Sequence, residues 1–185
     1  MNTVRKILVP IDFSEGSVDG LKYAVSLAQK TQAELIVLHV PQKKEVDAFL
    51  DLLAVMEGAP MLNPPATIPV DRLLSEKALD LYRFIEKTVR NPGQVKIRRK
   101  VALGNEVEKI LRVAEEENID LVVLAVPQKS IFAHLMAGGK LLKMISRMPC
   151  PVLLKPSFDE PWPTSGIIGR WIFARQLARQ FTGGH

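Results

Sequence analysis

Five short apolar runs divide this chain, and helical periodicity fills the intervals between them. Residues 5–12 (RKILVPID) read as a buried strand with Asp12 at its end. Phe13 to Ser17 form the turn, where Ser14 or Ser17 caps a helix running to about Lys30. Val18, Leu21, Val25 and Ala28 fall near one face of that helix. Residues 33–40 (AELIVLHV) make a second strand, so the three elements form a βαβ unit with parallel strands. Residues 46–56 spell a short helix with Phe49, Leu50, Leu53 and Met56 inward. Four prolines and a glycine mark 57–69 as a loop, which makes 41–70 an irregular insertion in the pattern.

The second half repeats the alternation. A helix from Asp71 to Arg90 places Leu74, Leu81, Ile85 and Val89 inward, and Asn91-Pro92-Gly93 stops it. Residues 95–103 form the third strand, and Gly104-Asn105-Glu106 turn the chain into a helix ending near Asn118. Its core side carries Val107, Ile110, Leu111 and Ala114, with the Glu115-Glu116-Glu117 run at the exposed end. Residues 121–126 are the fourth strand, 138–147 a helix stopped by Pro149, and 151–155 the fifth strand. Strands alternating with helices predict an α/β fold: one open, mostly parallel, five-stranded doubly wound sheet of Rossmann-like type.

Composition narrows the function classes. Hydrophobic residues make up 47% and charged residues 24% of the chain, as in an ordinary globular protein. No apolar run approaches the roughly 20 residues that span a bilayer, and the N-terminus lacks a signal-peptide cleavage site, so a cytoplasmic protein is expected. The single Cys150 between Pro149 and Pro151 reads as a small buried hydrophobe. His39, His134 and His185 are scattered, without metal-ligand spacing. The densest basic cluster, Lys96, Arg98, Arg99 and Lys100, sits in a strand without aromatic partners, which suits an edge strand better than nucleic acid. No nucleophile–base pair is legible around Ser14, Ser17 or Ser130, so no catalysis is expected.

In a doubly wound sheet the ligand crevice lies beyond the carboxyl ends of the strands, where the strand order reverses. Strands one and four as neighbours there would set Asp12 opposite the 125–139 connector, with Val40 lining the same pocket. Asp12 would accept hydrogen bonds from a ribose or base, Val40 would pack on an adenine, and the amides at Gly138-Gly139 would meet phosphate at a helix N-terminus.

These residues resemble the universal stress protein (UspA) domain, a fold of the adenine-nucleotide alpha-hydrolase-like type. The resemblance rests on KILVPIDFSEGS, AELIVLHV, GNEVEKILRVAEEENIDLVVLA and MISRMPCPVLLKP, covers residues 4–156, and is weakest across 41–94. Many members bind ATP through a Gly-x2-Gly-x9-Gly-(Ser/Thr) motif after strand four. Aligned without gaps, those positions fall on Ala125, Gln128, Gly138 and Gly139, and only the third matches. Gln128 stands where backbone approaches phosphate, and Gly139 lacks the hydroxyl. Asp12 and Val40 do match the adenosine-side positions. Members without the motif act through dimerisation and partner contacts. The resemblance therefore implies a homodimeric regulatory or stress-response subunit with a degenerate ATP site, or alternatively a sensor of ATP or another adenine nucleotide.

The resembling domain, 1–156, is followed by a proline-rich linker at 157–165 and an amphipathic helix at 166–182. Ile167, Trp171, Ala174, Ala178 and Phe181 share one helix face, with Arg175 and Arg179 away from it. From Thr164 onward there are three arginines and no acidic residue. Such a helix can fold back on its own domain, dock on a protein partner such as a membrane complex or transporter, or lie on a membrane surface.

Overall fold

The central strand β1 (Lys6–Ile11) carries Ile7, Leu8, Val9 and Ile11 buried on alternating faces, because helices cover both sides of the sheet it anchors. The computed structural model describes residues 4–56, 70–90, 92–127 and 139–157. The remaining strands are β2 (Glu34–His39), β3 (Ile97–Val101), β4 (Leu121–Pro127) and β5 (Val152–Ser157). They form one sheet in the order β3-β2-β1-β4-β5, and each neighbouring pair is parallel. The order runs outward in both directions from β1, so the reversal point lies between β1 and β4, as the doubly wound expectation requires.

Side-chain alternation splits the core into two layers. On one face Ile7, Val9, Leu35 and Val37 pack under α1 (Glu15–Thr31) and α3 (Val70–Thr88). On the other, Leu8, Ile36, Leu38 and Val122 pack under α4 (Glu106–Glu116) and α5 (Lys140–Arg147), and Cys150 is buried there as a small hydrophobe. A small third cluster joins α2 (Lys43–Met56) to α3 through Phe49 and Leu73, with Val46 and Leu103 against it.

Several sequence expectations shift in detail. The insertion opens with a helix that begins at Lys43 rather than Val46, because Glu45 accepts from the Gln42 N–H at 3.0 Å and caps its own first turn. Phe49 is buried as expected but Leu50 is only half-buried, while Leu53 and Met56 lie outside the described side chains, and the loop 57–69 lies outside the described residues. In α3, Leu73 rather than Leu74 is buried, alongside Leu81 and Ile85, and Val89 follows the helix end half-buried. Val18 is only half-buried on α1, whose inner face is made of Ser17, Gly20, Leu21, Ala24, Val25 and Ala28. Four small residues in that set, Ser17, Gly20, Ala24 and Ala28, let the helix lie close to the sheet.

The basic strand β3 is an edge strand whose charge is partly neutralised, and Arg99 lies over the Tyr82 ring, 4.9 Å from its centroid. Lys96 and Arg98 reach Glu34, and Arg98 and Lys100 reach Glu117. Glu117 is therefore not part of an exposed charged end. It turns in beside β3, and its side chain is only 16% exposed. Among the described residues no helix is long and apolar enough to cross a membrane, and no group of three acidic, histidine or cysteine side chains could hold a metal ion.

Candidate functional site

Pro10 opens the crevice. Main-chain groups alternate along a strand: the Arg5 carbonyl accepts from Glu34 N of β2, and the Lys6 carbonyl accepts from Asp120 N beside β4. Continuing that alternation, Leu8 and Pro10 face β4. Proline has no N–H, so the ladder to β4 can gain no donor there. The register agrees: β1 pairs with β4 only at Ile7↔Leu121 and Leu8↔Val122, whereas β1 and β2 stay paired as far as Ile11↔His39. Ladder pairing of the two central strands thus stops short of the carboxyl end, where Asp12 follows β1.

Asp12 sits in a hydroxyl cage. Its Oδ1 accepts from Ser14 N at 3.0 Å, Ser14 Oγ at 2.5 Å and Ser17 Oγ at 2.6 Å. The Ser17 hydroxyl in turn accepts from Asp12 N–H at 3.0 Å, and Ser14 caps α1 by accepting from Ser17 N. Partial desolvation would raise the carboxyl's proton affinity, but the Ser14 and Ser17 hydrogen bonds outweigh it and hold the group below the usual carboxylate value. Oδ1 is thus spent on the turn. Among the described residues no hydrogen bond reaches Oδ2, which remains available to a hydroxyl or amino group. Between Asp12 and Ser14, Phe13 adopts a left-handed φ of 64°, a strained conformation for an aromatic residue. That backbone turn lays its ring on His39, with centroids 4.2 Å apart, and edge-on to Phe84.

The other sequence candidates separate. Val40 follows β2 directly but is 7% exposed, part of the layer under α4 and α5, so it backs the crevice rather than lining it openly. Ala125 lies in β4 and faces α1: a Cβ built on Gly20 would stand 3.0 Å from the Ala125 Cβ. Its side chain is a helix-packing contact. Gly139 is the residue before α5, which begins at Lys140 rather than at Gly138. Its φ of −68° is one any residue adopts, and no side chain caps the helix start. Gln128 and Gly138 lie outside the described residues, as do the linker and the tail residues Ile167, Trp171, Ala174, Arg175, Ala178, Arg179 and Phe181.

His39 is the residue that sequence reasoning passed over. Scattered histidines carry no metal signal, and nothing in spacing alone marks this one. Its place at the end of an otherwise apolar strand, with Glu45 six residues on, was the available clue. The ring is 1% exposed, its Nδ1 is 3.0 Å from the Ile11 carbonyl, and its Nε2 has no hydrogen-bond partner.

An all-parallel sheet with a crevice at the reversal point defines a nucleotide-binding type of α/β fold. Residues 3–156 match the Universal stress protein family, and the chain belongs to that family. Universal stress protein MJ0577 of Methanocaldococcus jannaschii is 27% identical over 153 residues, covering 81% of this chain and 93% of the relative. A solved structure of hypothetical protein MJ0577 covers 86% of this chain and all of its own, at 20% identity and a TM-score of 0.59. A universal stress protein solved in complex with cAMP covers 83% of this chain and 97% of its own, at 18% identity and a TM-score of 0.55. These last two likenesses establish the shared fold.

Proposed function

We propose that this chain is a non-catalytic regulatory protein of the universal stress family that works as a homodimer through protein contacts, with a nucleotide site that has lost its phosphate side. The observation that carries this reading is the use of Ala125. Where the family's phosphate motif begins with a glycine, this chain has a methyl group packed on Gly20 of α1. Gly139 adds no hydroxyl at the α5 N-terminus, so two of the positions that would hold phosphate are committed or empty of chemistry. The amphipathic tail at 166–182 supplies a surface for a protein partner or a membrane complex, in the cytoplasm or at its membrane boundary.

Calorimetric titration of the full chain with ATP is expected to show no binding at millimolar nucleotide, while sedimentation gives a dimer. Micromolar binding that Asp12→Ala abolishes would overturn the degenerate-site reading, and a monomer would overturn the dimeric one.

A second reading, a sensor of an adenine nucleotide, is favoured by one specific feature. Among the described residues nothing bonds Oδ2 of Asp12, which leaves the adenosine side chemically competent, and the solved relative carries cAMP, a ligand with a single phosphate. On this reading a nucleotide with one phosphate binds better than ATP. Asp12→Asn would then weaken it by about tenfold, the loss of one charge-assisted hydrogen bond.

A further inference from the structure

His39 joins the two strand ends that frame the crevice to the helix of the insertion. Its Nδ1 lies 3.0 Å from the Ile11 carbonyl, and a carbonyl can only accept, so Nδ1 carries a proton. In the neutral ring Nε2 is then a bare lone pair. It is buried, has no hydrogen-bond partner, and faces the Glu45 Oε2 at 3.6 Å. Two acceptors oppose each other there.

Glu45 is held in place from two sides. Its Oε1 accepts from the Gln42 N–H at the start of α2, and Lys77 of α3 stands 3.4 Å from Oε2. Lys77 also reaches Asp80 at 3.6 Å. The ring also packs against Phe13, and just past β3 Ala102 N donates to the His39 main-chain carbonyl. Asp12, the acidic residue of the adjoining turn, has its Oδ1 occupied by Ser14 and Ser17. Glu45 is thus the charged group poised to meet a proton on Nε2.

We propose that His39 and Glu45 form a protonation-dependent latch that fastens α2 to the carboxyl end of the sheet. Protonation turns Nε2 into a donor, and the facing pair of acceptors becomes a charge-assisted hydrogen bond. Deprotonation restores the unpaired acceptor and loosens α2. The latch pulls on Ile11 and Val40, the neighbours of the crevice, but operates whether or not a nucleotide binds.

Hydrogen exchange of the full chain, corrected for intrinsic rates, tests it. The α2 amides are expected to be about tenfold better protected near pH 5.5 than near pH 8, with α1 and β1 unchanged. In Glu45→Gln the side-chain amide can donate to the bare Nε2, so α2 is expected to stay protected at both pH values. In Glu45→Ala it is expected to exchange fast at both. A pH response that persists in Glu45→Gln, or a flat response in the unaltered chain, would overturn the latch. So would ring nitrogen spectra placing the neutral proton of His39 on Nε2.

Discussion

Gly20→Val is expected to destabilise the fold by about 2–3 kcal/mol, the usual effect of forcing extra methyl groups into a packed interface. Helix α1 crosses β4 at this point, and a single added carbon already stands 3.0 Å from the Ala125 Cβ. Alanine at position 20 is a near-neutral change. It gains about 1 kcal/mol of helix propensity over glycine and loses a comparable amount to crowding. Valine brings two further methyl groups with nowhere to go. In a domain of this size the melting temperature should fall by about 5–10 °C. Pairing Gly20→Val with Ala125→Gly should recover at least ~0.5 kcal/mol relative to the sum of the single changes, since the two side chains compete for one space. Additive effects would show that the crowding lies elsewhere. The consequence reaches the crevice, because α1 begins with the Ser14 and Ser17 hydroxyls that hold Asp12.

This contact explains why the fold was more legible in the sequence than the site. Apolar runs and helix periods report burial, which is a local property of each element, and they located all five strands of the sheet. The details that moved did so for one tertiary and one local reason. Glu117 left its predicted exposed end because cations on β3, distant in sequence, draw it in. The α2 start shifted because Glu45 caps it with a side chain. The site residues show what spacing alone leaves out. Ala125 aligns with a phosphate-motif position by spacing, and only the strand's alternation shows that its side chain turns toward α1. Val40 was placed as a lining residue, although the same alternation sends it into the layer under α4 and α5. Asp12 carries both readings at once, one oxygen spent on the turn and one open. Pro10 and His39 were visible as letters, yet their roles depend on which neighbouring strand each main-chain group faces, and that requires the strand order.

Acid titration should reveal a second large effect, centred on Glu117. This residue ends α4, where a negative charge opposes the helix dipole, so its position must be stabilised from outside. Hydrogen bonds from Arg98, at 2.6 Å, and from Lys100 hold its carboxyl down from the ordinary 4.5 to about 2. A carboxyl whose folded value is depressed contributes stability above its unfolded value. That stability is lost as the pH falls from 4.5 toward about 2. The full difference corresponds to about 3 kcal/mol at about 1.4 kcal/mol per tenfold change in proton affinity. Arg98 and Lys100 are a third exposed, so solvent screening should reduce the contribution to about 1–2 kcal/mol. Glu34 acts in the same direction: burial would raise its proton affinity, but Lys96 and Arg98 bring it down. The informative measurement is therefore the difference between the unaltered chain and Glu117→Gln in urea unfolding across the acid range. The two stabilities are expected to differ at neutral pH and to converge as the pH approaches about 2. Parallel curves would mean that Glu117 is not coupled to β3. Convergence would show that Arg98 and Lys100 are committed to holding β3 against the end of α4 through Glu117.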